Sequence, residues 1–339
     1  MSNQRTILQE RLLSIVRRFP QRKVVVVGDA IADRFLYGSI ARVSREAPVF
    51  ILRHEQTQTI PGGAANCAVN LAALGAHVSL IAASGDDEAG RELRAKLENS
   101  NVDSKGLIES SELKTTTKVR ILAGQVHSTR QQVIRIDYED APLSDGNLRQ
   151  RLNNALQQAV SEADAVIISD YNYGVVDESV LNLLRDVSAK RRIPVLVDSR
   201  FGLASFGGFT SATPNEDEVE NLLGEKIESA SQLENSGAAL RQKLDYKALL
   251  VTRGSQGMIL LEDGVAPLHI KAVGAESPVD VTGAGDTVIA TFTLALSCDS
   301  SFSDAARLAN YAGGLVVMKR GTASVTSAEL EHSIINSET

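Results

Sequence analysis

One stretch gathers the residue types that could carry out group transfer: Pro278-Val279-Asp280-Val281-Thr282-Gly283-Ala284-Gly285-Asp286-Thr287. It predicts a turn of small residues running into a helix, because residues 288–296 that follow are almost all apolar. Gly283, Ala284 and Gly285 let a ligand touch the backbone. The first amides of a helix lack internal partners, and the helix dipole there favours an anion. Asp286 falls in that first turn, beside the anion. A carboxylate next to a phosphate is repelled unless it has chemistry to do. The fitting chemistry is removal of the proton from a hydroxyl that attacks phosphorus. The alternative is an aspartate that merely caps the helix after a glycine turn.

Other polar residues fall at the ends of predicted strands, where ligands of parallel sheets bind. The run Lys23-Val24-Val25-Val26-Val27-Gly28-Asp29 reads as a strand covered on both faces, and places Asp29 and then Asp33 at such an end. Turn chemistry is the alternative for both. Pro61-Gly62-Gly63-Ala64-Ala65-Asn66 opens a helix with small residues that allow close approach. Asn215-Glu216-Asp217-Glu218 starts another helix with an acidic cluster that could hold Mg²⁺ through waters, or could simply cap the helix. Thr252-Arg253-Gly254-Ser255-Gln256-Gly257 is a second glycine-softened turn after a strand. The P-loop pattern is absent, and no G-x-G-x-x-G follows the first strand.

Strands and helices must alternate to position these groups, and they do: β-branched runs at 23–29, 77–83, 165–170, 194–198 and 248–252 are separated by helical patterns. That rhythm predicts an α/β fold, a mostly parallel sheet with helices on both faces. Four polar-alternating pieces break it, at 35–39, 49–54, 115–122 and 131–136. They predict a small β lid. Length and pattern suggest one domain over 1–339, with lid segments inserted near 34–56 and 113–137.

The net charge of −7 and the lack of a Lys/Arg run argue against a nucleic-acid partner. Cys67 and Cys298 fall inside apolar helical patterns and read as buried thiols. The N-terminus lacks the apolar core of a signal peptide, and no run is long and apolar enough to span a membrane. The expected location is the cytoplasm.

These pieces resemble the ribokinase/PfkB family of sugar kinases over nearly the whole chain. The early signature is Pro61 to Ala68, the late one Asp280 to Thr287; Asn215 and Glu218 match the N-x-x-E motif, and Gly28-Asp29 the strand end. The resemblance implies a three-layer αβα ribokinase-like fold with a β lid. It implies Asp286 as base, with the amides of Ala284, Gly285 and Asp286 holding the transferring phosphoryl group. It implies ATP near Thr252, Gly254, Gly257 and Asn310, and Mg²⁺ ordered by Asn215 and Glu218. Asp280 matches a monovalent-cation position, which implies K⁺, although a turn aspartate is the alternative. Asp29, Asp33, Gly62, Gly63 and Asn66 would hold sugar hydroxyls, and the lid would build a homodimer.

Within the family the chain is most similar to kinases acting on D-glycero-β-D-manno-heptose 7-phosphate. The similarity lies in Asp33-Arg34-Phe35-Leu36-Tyr37-Gly38, Arg42-Val43-Ser44-Arg45-Glu46-Ala47-Pro48-Val49 and Ile168-Ser169-Asp170-Tyr171. It departs at Arg45, where those kinases carry proline, and at Asp198-Ser199-Arg200, where they read Asp-Pro-Lys. A phosphorylated sugar needs local cations, for which Arg42, Arg45, Lys118, Arg120 and Arg200 are the candidates; solvated lid charges are the alternative for each. The expected reaction is transfer of the ATP γ-phosphate to the C1 hydroxyl. Alternatives are a kinase for another sugar or sugar phosphate, and a non-catalytic sugar or nucleotide sensor.

Overall fold

A computed structural model describes residues 2–124, 130–140, 143, 145–274 and 278–337. In chain order the elements begin with α1 (Ser2–Val16), β1 (Lys23–Gly28), β2 (Ala30–Val43), β3 (Phe50–Gly63) and α2 (Ala64–Ala73). Then come β4 (His77–Gly85), α3 (Glu88–Asn99), β5 (Val102–Asp103), β6 (Leu107–Ser110), β7 (Thr117–Gly124), β8 (Gln131–Tyr138) and α4 (Gly146–Val160). The second half carries β9 (Ala165–Asp170), α5 (Glu178–Arg191), β10 (Val195–Ser199), β11 (Ser211–Ala212), α6 (Glu216–Leu223), α7 (Ala230–Lys243) and β12 (Ala248–Thr252). It closes with β13 (Met258–Glu262), β14 (Leu268–Ile270), α8 (Ala284–Ser297), α9 (Phe302–Val316) and α10 (Ser327–Asn336).

The main sheet runs β14-β13-β12-β11-β10-β9-β1-β4-β5, with β6 also on β4. It is parallel except at β12-β13-β14, which are antiparallel. The valine run of β1 lies at its centre, between β9 and β4, because alternate residues feed two cores. Val24 and Val26 face one core with α1, α2, α8 and α9. Val25 and Val27 face the other with α4, α5 and α7. Two covered faces explain why the strand has no polar alternation. This is the expected three-layer ribokinase-like sandwich.

A second, four-stranded sheet has the order β3-β2-β7-β8. It is the expected lid, but longer than the polar pieces suggested: β2 and β3 pair from Ala30↔Gly63 out to Val43↔Phe50. The ends nearest the body are buried even where polar, as at Asp33 and Thr59, so they lack the alternation of an exposed strand. The first lid segment joins the body without linkers. Only Asp29 separates β1 from β2, and β3 runs straight into α2. Residues 125–129 of the second lid segment lie outside the described residues. The helix α10 was not expected from sequence; its Leu330 and Ile334 are fully buried. Both cysteines are buried and free.

Candidate active site

Asp286 is the third residue of α8, whose N-cap is Gly283 at φ +76°. The aspartate therefore does not cap the helix. Its carboxylate instead accepts a 2.6 Å hydrogen bond from the Asn66 side-chain amide, across from the start of α2. Asn70, one turn on, donates to the Asn66 side-chain oxygen (3.2 Å) and accepts from the Thr287 hydroxyl (2.8 Å). This chain of amides fixes the Asp286 carboxylate and binds two helix starts together. Gly283 allows it, because a Cβ there would stand 2.7 Å from the Asn66 amide nitrogen. Burial pushes the Asp286 carboxyl up to about 7; Asp33 adds to the rise, while bonds from Asn66 and Tyr171 oppose it. A carboxyl tuned near neutrality suits a general base.

The expected amide cradle is smaller by one. The Ala284 amide is spent on the Val281 carbonyl (3.2 Å), which leaves those of Gly285 and Asp286 for an anion. In front of them lies a cavity of about 400 Å³, lined by Asp170, Tyr171, Asp198, Arg200, Thr213, Asn215, Glu218, Thr252, Val281, Gly283, Gly285 and Asp286. It collects the ends of β9, β10 and β12, as expected for a parallel sheet. Burial, with the charges of Asp286, Glu218 and Asp170, pushes the Asp198 carboxyl well above its ordinary range. Glu218 is raised by burial against bonds from Asn215 and the charge of Arg200. Asn215 and Glu218 also form a reciprocal capping box on α6, with bonds of 2.8 and 2.9 Å. Capping and cavity lining are thus held by the same two residues. Among the described residues, no group of three carboxylate, histidine or cysteine side chains could clasp a metal directly. Mg²⁺ fits such a site, since it keeps several waters and takes few carboxylates besides substrate phosphates.

Thr252, Gly254, Gly257 and Asn310 meet in a neighbouring cavity of about 190 Å³. Its lining is mostly small or apolar, including Ala272, Val288, Gly313 and Gly314. It shares Thr252, Val281 and Gly285 with the acidic cavity. The four residues assigned to a nucleotide do converge, and beside the glycine turn.

On the lid side, Asp33 is buried and ion-paired to Arg120. Gly62 makes room for it: a Cβ there would lie 2.4 Å from an Asp33 carboxylate oxygen. Gly63, at φ +57°, is the N-cap position of α2, a backbone conformation that favours glycine. Lys118 is buried between two rings, 5.9 Å from Tyr171 and 5.7 Å from Tyr173. Burial lowers its ammonium from the ordinary value, Asp137 opposes this, and Arg200 adds to it. Arg200 reaches the acidic cavity. Arg42 and Arg45 are exposed, at the outer end of β2 and beyond it, and are not brought to either cavity.

Two of the residues assigned to ligands also hold backbone in place. Asp29 is buried. Its carboxylate accepts from the backbone amides of Tyr171 (2.8 Å), Tyr173 (3.0 Å) and Val175 (3.2 Å), so it anchors the loop after β9. Asp280 accepts from the amides of Thr282 and Gly321, both at 3.0 Å; burial raises its carboxyl, but these bonds outweigh burial and hold it below the ordinary value. It ties the turn to the chain after α9, whether or not a cation joins it. Residues that sequence reasoning left without a role are Tyr171, Asp198, Thr213, Asn70 and Thr287. Thr287 and Tyr171 fall inside the matched motifs, and the others at a strand end or one helical turn from a motif residue.

A family model described as pfkB family carbohydrate kinase matches residues 21–329. Among curated proteins, the chain is 38% identical to bifunctional protein HldE of Photobacterium profundum over 325 residues, 94% of this chain and 65% of that protein. It is 39% identical to bifunctional protein HldE of Hahella chejuensis over 319 residues, 93% of this chain and 64% of that protein. The chain thus spans about two thirds, or slightly less, of the curated relatives it matches. Among solved structures, Arabidopsis thaliana ribokinase complexed with ribose and ATP superposes with a TM-score of 0.73 at 22% identity, over 93% of this chain and 99% of that one. Phosphofructokinase-2 from Escherichia coli, in complex with substrates and products, gives 0.75 at 19%, over 93% and 98%. At such identity these two show the fold. The family match, together with the curated relatives, establishes that this chain belongs to the pfkB family of carbohydrate kinases and is a sugar phosphotransferase.

Proposed function

We propose that the chain transfers the γ-phosphate of ATP to the C1 hydroxyl of D-glycero-β-D-manno-heptose 7-phosphate. The carrying observation is the placement of Asp286: a fixed carboxyl near neutrality, beside two free amides, lining the acidic cavity that adjoins the apolar one of Thr252, Gly254, Gly257 and Asn310. The acceptor oxygen forms a bond to phosphorus as the bond to the ADP oxygen breaks, and Asp286 takes the hydroxyl proton. Gly285 and Asp286 amides meet the charge on the phosphoryl oxygens. Mg²⁺ would neutralise the nucleotide phosphates, with Glu218 ordering its waters and Asn215 positioning Glu218. Asp280 stays ionised beside the turn, which supports K⁺ as an activator there.

Asp33, Asn66 and the backbone freed by Gly62 and Gly63 hold the sugar. Lys118 and Arg120 supply the cations that a 7-phosphate requires, and similarity to proteins named HldE favours a heptose phosphate. The lid exposes Val43, Phe50, Ile51, Ile134, Ile136 and Tyr138, which supports a homodimer joined through it. An ATP-consumption assay over sugars and sugar phosphates tests the acceptor. The heptose 7-phosphate should give the highest kcat/KM. Equal rates with unphosphorylated sugars would reject the heptose phosphate and leave the sugar kinase standing, and ATP consumption with none of them would point to a sensor.

A further inference from the structure

Arg200 is the only basic residue among the described residues lining the acidic cavity. Its backbone amide bonds the Asp170 carbonyl (3.2 Å), which sets it at the end of β10 beside β9. Its guanidinium lies 5.5 Å from the centre of the Phe201 ring. It makes no salt bridge to a described carboxylate, although Asp170, Asp198, Glu218 and Asp286 line the same space. A cation left unpaired there keeps its planar fork open for another anion.

Thr213 gives a second, independent observation. It lines the same cavity, is only 7% exposed, and its hydroxyl has no hydrogen-bond partner among the described residues. A buried hydroxyl without a partner is costly unless a ligand completes it. The residues on the sugar side, Asp33, Lys118 and Arg120, do not line this cavity, whereas Gly283, Gly285 and Asp286 do. Arg200 therefore lines the cavity of the glycine turn, while Lys118, which feels its charge, stays on the lid side.

We propose that Arg200 and Thr213 hold the transferring phosphoryl group itself, together with the Gly285 and Asp286 amides, rather than the acceptor's own phosphate. This rests on the kinase reading above. As the acceptor oxygen bonds phosphorus and the ADP oxygen departs, Asp286 receives the proton. Arg200 and Thr213 then meet negative charge on the phosphoryl oxygens that neither performs the attack nor leaves.

The test compares wild type, Arg200→Ala, Arg200→Lys and Thr213→Val. Calorimetry measures affinity for MgADP alone and for MgADP with aluminium fluoride, which imitates the phosphoryl group in flight. Arg200→Ala should bind MgADP like wild type, bind the fluoride complex at least about 10-fold more weakly, and lose about 10²-fold in kcat. Arg200→Lys should fall between, since it keeps the charge but not the fork. Thr213→Val should show a smaller loss of the same kind. Equal affinity of wild type and Arg200→Ala for the fluoride complex would overturn the assignment and leave the kinase reading intact. A raised KM for the sugar phosphate with unchanged fluoride affinity would also overturn it, moving Arg200 to the acceptor. Failure of the wild type to bind any nucleotide would remove the kinase reading and this assignment with it.

Discussion

Asp286 is held at a cost that the protein can be made to reveal. Its folded carboxyl sits near 7, above the value of about 4 in an unfolded chain. A raised pKa means that the folded state is favoured while the group is protonated, and that this contribution fades as pH rises from about 4 to about 7. Asp286→Asn removes the titration. The variant's melting temperature should match wild type near pH 4 and exceed it above pH 7; a constant difference across that range would contradict the burial argument. Its kcat should fall by about 10²–10⁴-fold with nucleotide affinity kept, because a general base is worth that much. Wild-type rate should climb through about pH 7 as the carboxyl ionises. At the lid, Lys118→Ala and Arg120→Ala should raise KM for the sugar phosphate and leave that for ATP nearly unchanged. Arg120→Ala should be the worse of the two, since it also strips Asp33 of its ion-pair partner. A shift in KM for ATP alone would move both residues out of the acceptor site.

Single side chains also govern whole segments. Asp29 holds three amides of the loop that carries Tyr171 to the base and Tyr173 to Lys118. Asp29→Ala leaves those amides without their acceptor in a buried place, so stability should drop by about 3 kcal/mol in chemical denaturation. Activity should fall too, with the loop no longer held. Unchanged stability would show that waters replace the carboxylate. The contrast between Asp29 and Asp33 shows what the sequence could and could not carry. Both follow the same apolar strand closely in sequence, so both were legible as near the site, although Asp33 lies within β2. Which one turns inward toward the loop and which toward the lid depends on β1 leaving the main sheet and β2 entering another, a long-range pairing. The glycine turn and its aspartate were legible because backbone freedom and helix dipole are local. Tyr171, Asp198 and Thr213 were not, because they become neighbours only through the order β9, β10, β11 in the sheet. The first two lid strands were read too short for a related reason: β2 and β3 pair along almost their whole lengths, a contact that no local pattern announces.

At the scale of the molecule, the lid is the part whose surface is incompletely explained by one chain. All eight residues of β8 are exposed, and Ile134, Ile136 and Tyr138 alternate onto one face. Light scattering at micromolar concentration should report a dimer. A strict monomer there would reject the lid interface. Charged replacements at Ile134 and Ile136 should dissociate the dimer without unfolding the body, since these residues belong to neither main core. No helix among the described residues is long and apolar enough to cross a membrane. The two adjoining cavities have a pharmacological corollary. They share Thr252, Val281 and Gly285, so nothing thicker than a glycine turn parts them. An adenosine tethered to a sugar phosphate by a short oligophosphate would place its base side in the apolar cavity, run its phosphates through the acidic one and reach the lid residues beyond. Its second half then binds as an intramolecular event, at an effective concentration in the mM range, and overall affinity can exceed that of either half by about 10²–10⁴-fold. The nucleotide half of such an inhibitor would be common to many enzymes, and the sugar half would carry its selectivity.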